Sequence, residues 1–420
     1  MRVVVLATGN PAMERAQVAV GHEVHLVAPP SVLARPVTEG LASTRPIRNW
    51  DDYAELTALA RGLPDVDAVV TCDEQAIRAA GYLTDRLGLP GPSFRQAATA
   101  TDKHVQKLRL AQAGLPVARH RLARAAADVA PAASELGWPI VVKPRTGMGA
   151  VHTFFLDTTA DLKNAIAAGR FERAAADRSG RFTASDLLDP LSSRADGFLV
   201  EEGLKVLTEY FCDVLICGGR VLLAAPGKYS IPLLRTGTSN GDDLHYDLLY
   251  SPDTAPAGVT EMAVRAMNAL GPVSGHAHCE MFETPGGLVF GELAIRRGGA
   301  AIGDLIEAMY GVDLVAADAR LALGQDLAET FTPRHDAVAA IYLTPPSGVV
   351  RAVEGVEKLR SWPGVLKVTV NLTVGEPSPG WFASTPLGGT ILYAVRDLNR
   401  ATEEIAAVRS QLTIEVDPNR

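Results

Sequence analysis

Two runs between residues 276 and 296 constrain this chain more than any other stretch, because they read as strands folding back on each other with glutamates in opposition. The first is His276-Ala277-His278-Cys279-Glu280-Met281-Phe282 and the second Leu288-Val289-Phe290-Gly291-Glu292-Leu293-Ala294-Ile295-Arg296. Thr284-Pro285-Gly286-Gly287 supplies turn chemistry between them. With a three-residue loop at 285–287, residue 280 lies opposite 292. Strand alternation then puts His276, His278, Glu280, Glu292 and Arg296 on one face. The other face carries Ala277, Cys279, Met281, Val289, Leu293 and Ile295, a set suited to a core. Like charges directly opposite in an antiparallel pair destabilise it by about 0.2–1 kcal/mol, and by more where water is excluded. A divalent cation between the glutamates is the economical explanation. Taken alone, the hairpin is equally compatible with a solvated polar face bearing two surface glutamates.

A chain of 420 residues exceeds one compact core and predicts two to four domains. Its net charge of -8, with no run of Lys and Arg, argues against a nucleic-acid partner, because tracking phosphate backbones needs a positive stripe. The apolar run Val3–Ala7 after Met1-Arg2 is too brief for a signal-peptide core or a membrane span, so a cytoplasmic protein without membrane partners is expected. The four cysteines, Cys72, Cys212, Cys217 and Cys279, lack C-x-x-C spacing and are expected to be reduced, structural thiols.

Residues 1–98 alternate strand and helix signals and predict a small doubly wound α/β domain. Its first turn, Ala7-Thr8-Gly9-Asn10-Pro11, lacks the G-x-G-x-x-G spacing of a dinucleotide loop. A helix over about 101–113, closed by Gly114 and Pro116, opens a second unit over 99–330, subdivided near 200 into a lid part (about 115–200) and a metal and substrate part (201–330). Residues 157–197 read as a surface excursion, and 226–256, rich in Pro, Gly, Asn and Asp, as a long loop and candidate lid. Residues 331–420 read as a C-terminal α+β unit.

Several residues suggest anion chemistry. Lys103 falls in the first turn of its helix, where the macrodipole disfavours a cation by about 0.3–1 kcal/mol, so it either serves a phosphate or is simply solvated. Lys143 ends an apolar strand before Pro144 and either snorkels outward or meets an anion. Gly147 and Gly149 follow, suiting a loop whose N–H groups close over phosphates, or merely a hairpin turn.

The order of these signals is more specific than any one of them. Asp102-Lys103, Val142-Lys143-Pro144 with its glycine loop, Val200-Glu201-Glu202, Glu280, and Glu292-x-Ala294-x-Arg296-x-Gly298-Gly299 together resemble the ATP-grasp superfamily, and within it the carboxylate–amine ligases that join amino acids. The resemblance covers nearly the whole chain and implies an ATP-grasp fold behind an N-terminal doubly wound domain and before a C-terminal α+β extension. It further implies that Lys103 and Lys143 contact ATP phosphates, that Gly147 to Gly149 cover them, that Glu201 and Glu202 lie in the adenine hinge strand, and that Glu209 binds the ribose. Glu280 and Glu292 would hold Mg²⁺, with Mn²⁺ as a substitute, and Arg296 the substrate carboxylate or its acyl phosphate; His276 or His278 would bind substrate or take up the amine proton. A homodimer is expected by analogy.

Three positions depart from the pattern. Ala294 stands where many members carry a metal-binding Asn, the turn before Glu209 has one extra residue, and His152 occupies a loop position where a smaller residue is usual. The implied reaction activates a carboxylate with ATP and transfers the acyl group to an amine, with amino acids as substrates. A second reading keeps the ATP site with a non-amino-acid acceptor, as in the superfamily's carboxylases and purine-pathway ligases, and a third is a non-catalytic nucleotide-binding protein.

Overall fold

The computed structural model describes residues 1–171, 197–236, 244–272, 274–327, 331–382 and 385–417. The N-terminal unit is a four-stranded parallel sheet in the spatial order Ser43–Pro46, Glu23–Ala28, Arg2–Leu6, Ala68–Val70. Val3 and Val5 face one apolar cluster and Val4 and Leu6 another, so the central strand is buried on both sides, as a doubly wound sheet requires. The helix expected over 101–113 is two helices, Phe94–Thr101 and Lys103–Gln112. Asp102 divides them: its extended backbone ends the first, and its carboxylate accepts from the N–H groups of His104 and Val105 to cap the second.

A second sheet runs His120–Ala123, Phe198–Glu202, Ile140–Pro144, Phe154–Leu156, all antiparallel, and packs on the helices Val129–Leu136 and Thr159–Ala167. The latter helix opens the expected excursion at 157–197, of which residues 172–196 lie outside the described residues.

Eight of the remaining strands form one antiparallel sheet. Their order is Gly287–Ala294, Gly275–Thr284, Thr208–Cys217, Arg220–Tyr229, Tyr246–Tyr250, Ala337–Tyr342, Gly389–Val395, Val365–Val370. The sheet crosses residue 331 without a break, and Val338, Ala340, Tyr342 and Leu392 share a core with Phe211 and Leu215. The C-terminal segment therefore extends the sheet of 201–330. Its strands Val349–Glu354 and Thr413–Asp417 also pair with each other in a two-stranded sheet of their own.

Much of the expected loop at 226–256 is also sheet. The strand Arg220–Tyr229 runs through Pro226, which pairs with Cys212 on one side but lies beyond the end of the ladder to Tyr246–Tyr250, which starts at Gly227. The missing N–H of proline is tolerated at such a ladder end. Tyr246–Tyr250 is buried throughout, so it shows no alternation to read. Residues 237–243 of the candidate lid lie outside the described residues.

The hairpin pairs Glu280 with Glu292, by a route other than the expected one. The turn has two residues, closed by Thr284 opposite Gly287, and the missing residue is returned as a bulge at Gly291. Up to the bulge the phase of the second strand is shifted, so Phe290, not Val289, enters the core with Cys279 and Met281. All four cysteines are unbridged. Among the described residues no helix is long and apolar enough to cross a membrane.

Candidate functional site

A cavity of about 1140 Å³ opens where the three sheets meet. The N-terminal unit contributes Asp73 and Glu74, the second sheet Lys143, Glu201 and the loop 146–151, and the large sheet Glu209, Tyr229, Asp247, His278, Glu280 and Glu292, followed by Arg296. A pocket of this size exceeds what a single drug-sized ligand fills.

The loop after Lys143 has the backbone needed for close approach to an anion. Gly147 and Gly149 have φ of 124° and 63°, and Ala150 and His152 are also left-handed at 57° and 53°. Such a run turns N–H groups toward one side. Lys103 is a neighbour of this loop but not part of the cavity wall: its ammonium donates to the Gly147 carbonyl at 2.6 Å and lies 3.1 Å from Glu292. Here it ties the loop to the hairpin.

Lys143 reaches inward. Its Nζ is 2.9 Å from Glu201, whose other oxygen is 2.8 Å from Lys107. Burial alone would raise the Glu201 carboxyl, but the two ammonium groups outweigh it and hold it down at about 2. Burial acts to lower both lysines; for Lys143, Glu201 and Glu292 more than offset it, whereas Lys107 ends below its ordinary value. Glu202 also lines the cavity and pairs with Arg119 at 2.7 Å. Sequence reasoning missed Lys107, although it lies one helical turn after Lys103 on the same face.

Glu280 and Glu292 both line the cavity, and each already has a cationic neighbour: Lys103 at 3.1 Å from Glu292, and His278 at 3.3 Å from Glu280, which also accepts from the Tyr229 hydroxyl at 3.3 Å. These neighbours relieve the like-charge repulsion, so the facing of the glutamates does not by itself call for a metal. The donor set still suits Mg²⁺, which takes one or two carboxylates and completes its shell with phosphate oxygens and water. No group of three or more ligating side chains is assembled among the described residues, so no all-protein cage competes with that arrangement. Glu209 lies beside Glu280; burial and that charge push its carboxyl well up, and its oxygen accepts from the Leu233 N–H at 2.7 Å.

The two histidines are organised by Asp213, a residue the sequence reading passed over. One Asp213 oxygen lies 2.8 Å from His276 Nε2 and accepts from the Gly298 N–H at 2.8 Å; the other is 2.7 Å from His278 Nδ1. His276 also meets Asp318 at 3.2 Å. Burial disfavours the imidazolium, but Asp318 and Asp213 push His276 up to about 9, and Asp213 and Glu280 push His278 up to about 10. His276 does not line the cavity; it lies behind the wall between Asp213 and Asp318. An aspartate inside the apolar run Phe211-Cys212-Asp213-Val214-Leu215 was the available signal, since a buried charge demands partners.

Arg296 faces the cavity with its Nε 3.0 Å from Glu74, and Nη1 donates to the Arg297 carbonyl. The Arg296–Glu74 contact is too poorly aligned to be a hydrogen bond. Other guanidinium donors therefore remain for an anion.

No protein-family model matches the chain. It is 26% identical over 336 residues to the L-arginine-specific L-amino acid ligase of Bacillus subtilis, over 78% of this chain and 76% of that one. Among solved structures it is similar to an L-amino acid ligase from Bacillus licheniformis, with a TM-score of 0.71 at 18% identity over 99% of this chain and 98% of that one. It also matches the biotin carboxylase domain dimer of the Hydrogenobacter thermophilus 2-oxoglutarate carboxylase, solved with MgADP, ADP and bicarbonate, with a TM-score of 0.65 at 16% identity over 99% of this chain and 90% of that one. The chain has the ATP-grasp fold, and the resemblance read from the order of its motifs stands.

Proposed function

We propose that this chain is an ATP-dependent carboxylate–amine ligase that joins two amino acids through an acyl phosphate and releases ADP and phosphate. The observation that carries the reading is the convergence on one cavity of Lys143, the left-handed glycine loop, two facing carboxylates and a guanidinium, drawn from sequence positions 143 to 296. The 26% identity to an amino acid ligase supports the same substrate class.

In this reading Lys143, held in place by Glu201, neutralises phosphate charge, and the N–H groups of the glycine loop close over the phosphates. Glu280 and Glu292 would hold Mg²⁺, which supplies charge neutralisation between phosphate oxygens when bound. Arg296 aligns the carboxylate for attack on the γ-phosphorus; a neutral amine then attacks the acyl carbon, the C–O bond to phosphate breaks, and the departing phosphate carries off the amine proton. Closure of the site over bound substrates would keep water from the acyl phosphate. His278 stays charged and orients Glu280; it is not the base.

The test is phosphate release from Mg-ATP against a panel of amino acids, singly and in pairs, with mass spectrometry of the products. Release that requires a pair and yields the summed mass less water is expected. Tight ATP binding without turnover on any pair would move the reading to a non-amino-acid acceptor or to a non-catalytic binder. Arg296→Ala should abolish turnover and leave nucleotide binding intact.

A further inference from the structure

Most acids lining the cavity are already answered by this chain. Glu201 meets two lysines, Glu292 meets Lys103, Glu280 meets His278, and Glu74 meets Arg296. Asp247, like Glu209, has only a neutral donor among the described residues. It sits in the strand Tyr246–Tyr250 inside the large sheet, is 5% exposed, and lines the cavity. Among the described residues the hydrogen bond to its side chain comes from one neutral donor, the Tyr342 hydroxyl. That hydroxyl is itself fixed, because its oxygen accepts from the Ala301 N–H at 3.3 Å at the start of the helix Ile302–Tyr310.

Tyr229 from the adjoining strand and His278 from farther across the sheet act on Asp247, and neither hydrogen-bonds it. His278 is committed to Asp213 and Glu280, and the Tyr229 hydroxyl to His278 and Glu280. The wall thus holds a carboxylate oxygen in want of a cation, one side chain away from Glu280. Arg296 supplies a guanidinium to the same cavity. A guanidinium and a carboxylate in one pocket are the complement of a zwitterion.

We propose that Asp247, oriented by Tyr342, is the subsite for the primary ammonium group of an amino-acid substrate. The proposal rests on the ligase reading and specifies what that cavity selects. Burial lifts the vacant carboxyl to about 7, against the Tyr342 hydrogen bond and the His278 charge, and an ammonium docked there would favour its ionised form. The ammonium belongs either to the amino acid being activated or to the one that attacks. Both present the same chemistry, and the experiment separates them.

Hydroxylamine, neutral at working pH, traps an acyl phosphate as a hydroxamate and so reads activation without the attacking amino acid. Wild-type protein and Asp247→Asn are compared for hydroxamate and for dipeptide formation. The variant is expected to raise KM for one amino acid by roughly tenfold or more, the loss of one charge-assisted hydrogen bond, with KM for ATP unchanged. A rise seen already in hydroxamate formation, together with loss of preference for the amino acid over its des-amino analogue, assigns the ammonium to the activated substrate. A rise confined to dipeptide formation assigns it to the attacking one. Wild-type KM values in the variant, or a matching rise in KM for ATP, overturn the subsite while leaving the ligase reading in place. Absence of both products with wild-type protein overturns the ligase reading, and the subsite with it. Should Asp247→Asn not fold, Tyr342→Phe serves: it should raise the same KM several-fold without touching that for ATP, and unchanged values refute the proposal.

Discussion

Replacing Glu201 by Gln tests whether the buried Lys107–Glu201–Lys143 triad holds the second sheet to the rest of the molecule. Glu201 is 5% exposed and stands between ammonium groups at 2.8 and 2.9 Å, one on the helix Lys103–Gln112 and one on the strand Ile140–Pro144. Gln keeps the shape and one acceptor but leaves two buried cations facing each other. Breaking a buried ion pair by removing one partner costs about 3–5 kcal/mol. At 1.36 kcal/mol per decade this is a fall of roughly 10²–10⁴-fold in protection of the amides that open with the triad. Hydrogen exchange at neutral pH should show that loss in 103–112, 140–144 and 198–202, with the parallel sheet at 2–6 and 23–28 unchanged. The pH dependence has a definite sign. The Glu201 carboxyl is depressed from 4.5 to about 2, so its contribution is complete above about 4.5 and fades as pH falls toward 2. The two proteins should converge over that interval. Equal protection of the two proteins at pH 7 would refute the argument that the triad is a stabilising joint.

Mg²⁺ should tighten ADP binding to the wild-type protein in calorimetry. Glu280→Gln and Glu292→Gln should each lose roughly tenfold or more of that tightening, with metal-free binding unaltered; retention of the full effect in both variants would dismiss them as ligands. His276 and His278 should be imidazolium at pH 7.5 by NMR. Because both are raised from 6.5, to about 9 and about 10, their stabilisation is complete below 6.5 and lost as pH rises through 9 to 10. Asp213→Asn should abolish that alkaline loss in thermal melts. Gly227→Ala would set a Cβ 2.2 Å from Phe211 Cζ and 2.7 Å from the Leu248 carbonyl. A destabilisation of about 1–3 kcal/mol is expected from urea unfolding, and no change would mean that the Phe211 ring is free to move away.

Local pattern carried a large part of this protein. The parallel sheet of the N-terminal unit appears where the alternating strand and helix signals of residues 1–98 put it, because apolar runs and the turns that bound them are written locally. The facing of Glu280 and Glu292 was also legible, since turn length and alternation fix register to within a residue, and the Gly291 bulge restored the residue that the shorter turn removed.

Only the tertiary structure decided which charges are answered. Glu201 reads as one acid of a strand, yet its partners lie 94 residues away on a helix and 58 away on a neighbouring strand. Asp213 and Asp247 stand inside apolar runs; the fold gives the first two histidines and a backbone N–H and, among the described residues, the second one hydroxyl. Tyr246–Tyr250 was unreadable as a strand because a strand buried on both faces has no polar side to alternate with. Hydrophobic periodicity is local and survives in one dimension. Electrostatic complementarity is a relation between distant segments, and it exists only once the chain has brought them within a few ångströms.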